Sequence, residues 1–439
     1  MTCRALAVLL VAVTATPAAA GGFGIPEIGV RRTGMATIIG RPDDASAIYH
    51  NPAGLVMQRG WNLYVSMGVS LLDTEFRLAP WDESDRFLGA TAESDGYYAA
   101  VKPTRAMGVI PMIAATAELL PNKLVVGAAI YVGNATGARF EDESVTRYHL
   151  IDGYVVAPQA VISAAYRVHP TLTLGATAGV MNMRVHGKRD VFPILNGMDV
   201  SAITGTRAQL ELDGEAWAPT WMLAAFGERP ASRLAPRITW GATITGRIDA
   251  KLEGPVQVKF SDDAGSPGDM LVGRQQTTQL LPWAFMAGAN VDVSKHVEIG
   301  TEFRYWLYRQ YESQHTDIVG IALLKELETT KNYNDSWAAS AGVRVHSLAA
   351  VPALELMAGA QFDKSPAPKQ TVTLDQPSFS HPAAHVGARW QLGRYRFGAS
   401  YIHYWYLIPT ISDSITGPPS NIRGNGTNNI FTVSIEAKL

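Results

Sequence analysis

Residues 297–307 read VEIGTEFRYWL. Val297, Ile299, Phe303, Tyr305 and Leu307 fall on one side of an extended chain; Glu298, Gly300, Glu302 and Arg304 fall on the other. The run is about as long as the ~9–11 residues a tilted strand needs to cross a bilayer. It is longer than the ~5–6 residues usual for a strand of a soluble sandwich. The same alternation recurs along the chain. It sets Leu172, Leu174, Ala176, Ala178 and Val180 on one face, and Trp337, Ala339, Ala341, Val343 and Val345 on another. It continues with Leu354, Leu356, Ala358, Ala360 and Phe362, and ends the chain with Phe431, Val433, Ile435, Ala437 and Leu439. Repeated alternation of this length predicts an all-β fold, a transmembrane antiparallel β-barrel.

Composition agrees. Residues 1–20 have the layout of a signal peptide: Arg4, an apolar core from Ala5 to Ala15, and small residues at Ala18-Ala19-Ala20. Beyond them no apolar run reaches the ~18 residues of a spanning helix. The nearest, Ala106 to Ala117, contains Pro111 and stops at Glu118. An exported chain that is 47% hydrophobic without spanning helices is a secreted globule or a barrel, and strand length favours the barrel. A net charge of −2 gives no reason to expect nucleic acid as a partner. The single cysteine, Cys3, lies in the leader, so the mature chain is expected to have no disulfide or cysteine ligand.

Connections alternate in length. Short ones fall at 121–123, 169–170, 294–296 and 393–394; long ones run near 74–103, 141–153, 186–214, 251–276, 309–332, 364–383 and 408–428. Short periplasmic turns, long outer loops and roughly fourteen strands fit an outer-membrane barrel. Aromatics gather at run ends (Trp61 and Tyr64; Tyr305, Trp306 and Tyr308; Tyr401, Tyr404, Trp405 and Tyr406), as interfacial girdles would require.

One stretch does not alternate: 21–60, GGFGIPEIGVRRTGMATIIGRPDDASAIYHNPAGLVMQRG. It reads as a small N-terminal hatch, with 61–439 as the barrel around it. Asp43, Asp44 and Asn51 are short polar residues suited to fixing turns, and Pro52 holds Asn51 extended beside Ala53. They read as hatch architecture or gating, not catalysis. The third strand, expected over Leu124 to Phe140, is interrupted by Gly133-Asn134-Ala135-Thr136-Gly137, which marks a kink or an early outer loop.

Taken in order, Gly21-Gly22-Phe23, Asp43-Asp44-Ala45-Ser46, Asn51-Pro52-Ala53 and Asp363-Lys364-Ser365-Pro366 behind a leader resemble the FadL/TodX family of outer-membrane transporters of hydrophobic compounds. The resemblance implies a plugged barrel, capture of ligand in outer loops, an internal site beside the N-terminus, and sideways release through a gap made by the kinked third strand at Gly133, Asn134 and Gly137. It implies passive transport, with long-chain fatty acids expected and neutral aromatic hydrocarbons as the alternative. Phe23 matches the family's near-terminal phenylalanine. Phe23, Ile25 and Ile28 either line the site or fill the lumen. Arg189, placed just past a fifth strand over 171–185, matches a basic position of the family and suits a carboxylate; Arg31 and Arg32 are further candidates. Apolar residues within 186–214, such as Phe192 and Ile194, and Met270, Leu271 and Val272 beside Pro255 and Val256, are candidates for a capture groove.

No catalytic constellation appears: HExxH, GxSxG and the P-loop are absent, which counts against a lipid-modifying enzyme. Asp262, Asp263 and Asp269 lack EF-hand spacing. No metal and no cofactor are expected. The expected partners are hydrophobic small molecules such as fatty acid, detergent or hydrocarbon, outer-membrane lipid and lipopolysaccharide, and the barrel assembly machinery. The chain is expected to act as a monomer, although it ends in Leu439 where such barrels usually end in an aromatic residue.

Overall fold

The computed structural model describes residues 24–81, 88–104, 106–191, 194–195, 198–199, 207–233, 235–261, 267–321 and 324–439. The expected leader 1–20, Phe23, Phe192, Asp262, Asp263 and the side chains of Ile194 and Asp269 lie outside that description.

Fourteen antiparallel wall strands follow one another around a closed sheet. They are β1 (Trp61–Leu78), β2 (Met107–Leu120), β3 (Leu124–Arg139), β4 (Asp152–His169), β5 (Leu172–Val191) and β6 (Arg207–Arg229). Then come four strands each interrupted once: β7 (Ile238–Thr245 and Ile248–Ser261), β8 (Pro267–Leu281 and Ala284–Asp292), β9 (Val297–Trp306 and Ser313–Val319) and β10 (Glu326–Thr330 and Ser336–Val345). The last are β11 (Leu354–Asp363), β12 (His381–Leu392), β13 (Tyr395–Tyr406) and β14 (Ile422–Lys438). β14 returns to β1 in unbroken register from Asn62↔Lys438 to Leu78↔Ile422. Pairing of β14 with β1 leaves neither terminal strand of the sheet as a free edge.

The two faces of β1 show what each solvent asks for. Trp61, Leu63, Val65, Met67 and Leu71 point outward and are exposed, while Asn62, Ser66, Ser70 and Thr74 point inward and are buried. Exposed apolar outside and buried polar inside suit a wall standing in hydrocarbon. Past Leu71 the outward residues become Asp73, Glu75 and Arg77, so the apolar band ends there. No helix among the described residues is long and apolar enough to cross a membrane.

The wall departs from the sequence reading in two ways. The described residues of 186–214 and 251–276 are largely strand, not loop: β5 continues to Val191, and β7 pairs with β8 from Lys259↔Met270 to Ile248↔Leu281. Met270, Leu271, Val272, Pro255 and Val256 therefore sit on a ladder. Above the bilayer the outward face needs no apolar residues, so Arg184, His186 and Lys188 oppose Glu215, Asp213 and Glu211 while the backbone pairing goes on. The aromatic clusters also split. Trp61 and Trp405 face outward, but Tyr64, Trp306, Tyr308, Tyr404 and Tyr406 are buried, because strand neighbours point to opposite faces.

Residues 24–60 lie within the sheet and are almost wholly buried. They form short turns, α1 (Val30–Met35), α2 (Ala47–His50) and a 3-10 turn (Pro52–Met57), joined by irregular chain. Irregular backbone in a barrel must find partners on the wall. The inward Glu302 of β9 accepts from the N–H groups of Ile38 and Ile39 at 2.8 and 2.9 Å. Ser340 donates to the Ala36 carbonyl at 2.7 Å, and Thr177 to that of Ile48 at 3.2 Å. The wall is glycine where the two backbones touch: a Cβ at Gly342 would lie 1.8 Å from the Met35 carbonyl oxygen, and one at Gly175 2.3 Å from the Ala53 nitrogen.

Candidate functional site

The polar residues of 24–60 settle into two kinds of place. Asp44 accepts from the Ser46 N–H at 3.0 Å, and Asn51 accepts from Ala53 N–H at 3.2 Å while donating to the Ile39 carbonyl at 2.9 Å. These bonds tie the segment to itself, although Asn51 also donates to the Ala225 carbonyl of β6 at 3.3 Å and Asp44 lies 3.6 Å from Arg389; Pro52 opens the 3-10 turn after Asn51. Asp43 instead faces the wall. It accepts two bonds of 2.9 Å from Arg389 and one of 3.0 Å from Arg344. Arg41 reaches Asp292 at 2.6 Å and Glu298 at 2.7 Å, and Arg31 is ion-paired to Glu298. Arg32 bonds Gln361 and the Ala36 carbonyl. Arg31 thus pairs with a carboxylate of the wall, whereas Arg32 is held by neutral oxygens. Removing one partner from such a buried pair costs roughly 3–5 kcal/mol, so these contacts fix most of the segment in place.

Its beginning is held differently. Gly24 forms an antiparallel bridge with Asn134, and the Ile25 N–H donates to the Gly133 carbonyl at 2.9 Å. Gly133 is the extra residue of a bulge in β3: register against β4 shifts between Val132 and Asn134. On the other side, the β2–β3 ladder ends at Met112↔Tyr131. Above it β2 (107–111) and β3 (132–138) are both strand yet unpaired with one another, until the Thr104 N–H reaches the Arg139 carbonyl at 2.7 Å. A window therefore interrupts the wall. Met67↔Pro111 and Leu71↔Met107 place it against the upper part of the apolar band of β1. Its rim carries no charge between Tyr131 and Arg139.

A partly open cavity of about 860 Å³ adjoins this point, lined by Gly24, Tyr49, Tyr131, Gly133, Trp221 and Trp306 among others. Gly246, Pro282 and Tyr308, at the interruptions of β7, β8 and β9, line its far side. Its charged residue, Arg304, donates to Glu302 at 2.6 Å and is neutralised. Ile25 and Ile28 pack into the apolar core beside it, while the segment lines the cavity through Gly24, Ile48, Tyr49 and His50.

A second cavity of about 840 Å³ lies under the outer loops, lined by His149, Arg189, Leu210, Leu212, Asp375 and Gln376 among others. Arg189 stands within β5, not past its end, two residues before Val191. Asp375 is the carboxylate in electrostatic reach of Arg189 among the described residues, and it also serves buried Lys331, whose ammonium donates to Gln376 at 2.9 Å. Burial pushes both cations down, and Asp375 partly offsets it. Burial pushes Asp375 up, but Lys331, Thr373 and Arg189 outweigh it, and the carboxyl sits below its ordinary value. Two cations thus share one anion. Lys331 carries no sequence signal, since it sits in a polar connection between strand segments. Between the cavities runs an apolar belt that includes Met181, Met183, Leu252, Tyr311 and Tyr333.

A closed antiparallel barrel with an apolar outer band and internal cavities defines an outer-membrane β-barrel. The model of a family described as outer membrane protein transport protein (OMPP1/FadL/TodX) matches residues 11–399, and the chain belongs to that family. Its fold is that of a Pseudomonas aeruginosa FadL homologue (TM-score 0.75, 14% identity, covering 95% of this chain and 99% of that one). It is also that of the Pseudomonas putida toluene transporter TodX (TM-score 0.70, 14% identity, 95% and 99%). The Ralstonia pickettii toluene transporter TbuX is similar too (TM-score 0.64, 14% identity, 94% and 98%). No curated protein matches the sequence. The family and these neighbours are transporters, and the chain is a transporter of hydrophobic compounds, not an enzyme.

Proposed function

We propose that the protein takes up long-chain fatty acids passively, holding the carboxylate at Arg189 and Lys331 and releasing the molecule sideways through the window between β2 and β3. The observation that carries the substrate class is Arg189, which lines the upper cavity beside Asp375, while Asp375 also serves the buried Lys331 behind it. A guanidinium can take a carboxylate bidentately. The acyl chain then follows the apolar belt to the lower cavity. Each CH₂ kept out of water on that route saves ~0.8 kcal/mol, which a water-filled pore would forfeit.

Residues 29–60, with their buried ion pairs, act as a fixed hatch. Gly24 to Ile28 act as its movable tip, and withdrawal of the tip from Gly133 joins the lower cavity to the window. The mobile group is then small, and the rest of the plug keeps water and ions out.

A second reading has its own support. The lower cavity is electrically neutral and lined by Tyr131, Trp221, Trp306 and Tyr308, which suits neutral aromatic hydrocarbons such as the toluene named for TodX and TbuX. One comparison separates the two. Arg189→Ala and Lys331→Ala are expected to weaken oleate binding about tenfold or more each, the scale of a lost hydrogen bond to a charged group, and to leave toluene binding unchanged. Equal oleate affinity in all three proteins would favour the hydrocarbon reading.

A further inference from the structure

We infer that Pro111 is the residue that stops the β2–β3 seam from closing, and so sets the lower edge of the window. The inference rests on the reading of that window as the exit. Hydrogen-bond parity decides which neighbour each backbone group of β2 faces. Leu72 N–H donates to the Ala106 carbonyl at 2.8 Å, and Glu118 N–H donates to the Gly60 carbonyl at 2.9 Å. Both lie in the register that pairs β1 with β2. In an antiparallel ladder, bonded and non-bonded pairs alternate. The even-numbered residues of β2 therefore turn their backbone groups to β1, and the odd-numbered ones turn theirs to β3.

Pro111 is odd. Continued one step past Met112↔Tyr131, the register would pair Pro111 with Val132, and that pair would carry the next two bonds of the seam. Proline has no N–H, so one of the two cannot form. The following residue of β3 is the bulged Gly133, so the partner strand turns away at the same level. Both strands thus give up the seam at one height, and Gly24 and Ile25 occupy the inner side of the gap.

A second proline acts one strand further round. Val132 lies opposite Pro158 of β4, and the β4–β5 ladder has no pairs between Val156↔Arg184 and Gln159↔Met181. By the same parity, Pro158 turns its missing donor toward β5. β4 is therefore loosely held where β3 must bend. Pro111 acts at the rim of the window and Pro158 behind it.

The test replaces Pro111 with a strand-forming residue that restores the donor. Pro111→Val, with Pro111→Ala as a second variant should the first fold poorly, is made in the full-length protein. Two quantities are read: hydrogen exchange of the new amide at position 111 in the folded barrel, and uptake of radiolabelled oleate by cells. The expected result is an amide protected about as well as those of the paired part of β2, with oleate uptake reduced several-fold. An amide that exchanges freely with uptake unchanged overturns the role of Pro111 and leaves the lateral exit standing. A protected amide with uptake unchanged shows that closing the seam does not matter to passage, and the lateral exit falls with the proposal.

Discussion

His149, under the outer loops, is held neutral. Burial, helped by the positive charge of Arg189, brings it down to about 4 from an ordinary value of 6.5. A histidine whose folded value is depressed binds protons more readily once its surroundings open. The stability it lends is therefore fully present above about pH 6.5 and drains away as pH falls from there toward 4. Acidification from pH 7 to 5 is expected to speed exchange of the loop amides over 140–151, after correction for intrinsic rates. His149→Asn is expected to abolish that extra acid sensitivity. An identical pH response in both proteins would show that other groups set it. The proposed carboxylate site at Arg189 and Lys331 belongs to this same scale, and the oleate and toluene comparison tests it.

At the scale of elements, the interior of the wall is shaped to the segment it holds. Inward glycines on β5 and β10 lie where a methyl group would strike the Ala53 or Met35 backbone. Gly342→Val is expected to let the barrel form, because its lipid face is untouched, while pushing α1 off the wall. Trypsin should then cut the folded protein near Arg31, Arg32 or Arg41, sites buried in the parent. Resistance equal to the parent would mean that the segment can shift without opening. Overpacking of this kind usually costs about 1–3 kcal/mol, enough to expose a plug without unfolding a barrel.

The whole molecule joins two solvents. Outside, an apolar band on every strand meets lipid; inside, charged residues such as Glu298, Glu302 and Arg389 meet the leading segment. Much of this was legible in the sequence. The run 297–307 separated its apolar and charged faces correctly, because alternation follows from backbone geometry and does not depend on what covers either face. The bulge at Gly133 was legible for the same local reason. The length of β5 beyond Val185 was not, since a strand that has left the bilayer loses its apolar outward face but keeps its ladder. Nor was Lys331, nor the pairing of Asp43 with Arg344 and Arg389: such partners lie some three hundred residues apart, and only closure of the sheet brings them together. Pro111 was visible as an interruption of an apolar run, but its meaning depends on which neighbour its nitrogen faces.

The proposed uptake requires the segment that begins at Gly24 to leave the window before a ligand can pass. Gly24 and Asn134 face one another across an antiparallel bridge, a separation that suits a disulfide. The decisive measurement is oleate uptake by a Gly24→Cys/Asn134→Cys protein under oxidising and reducing conditions. Uptake should be lost when the bridge is oxidised and return to the parent level on reduction. Undiminished uptake through the oxidised protein would contradict the account.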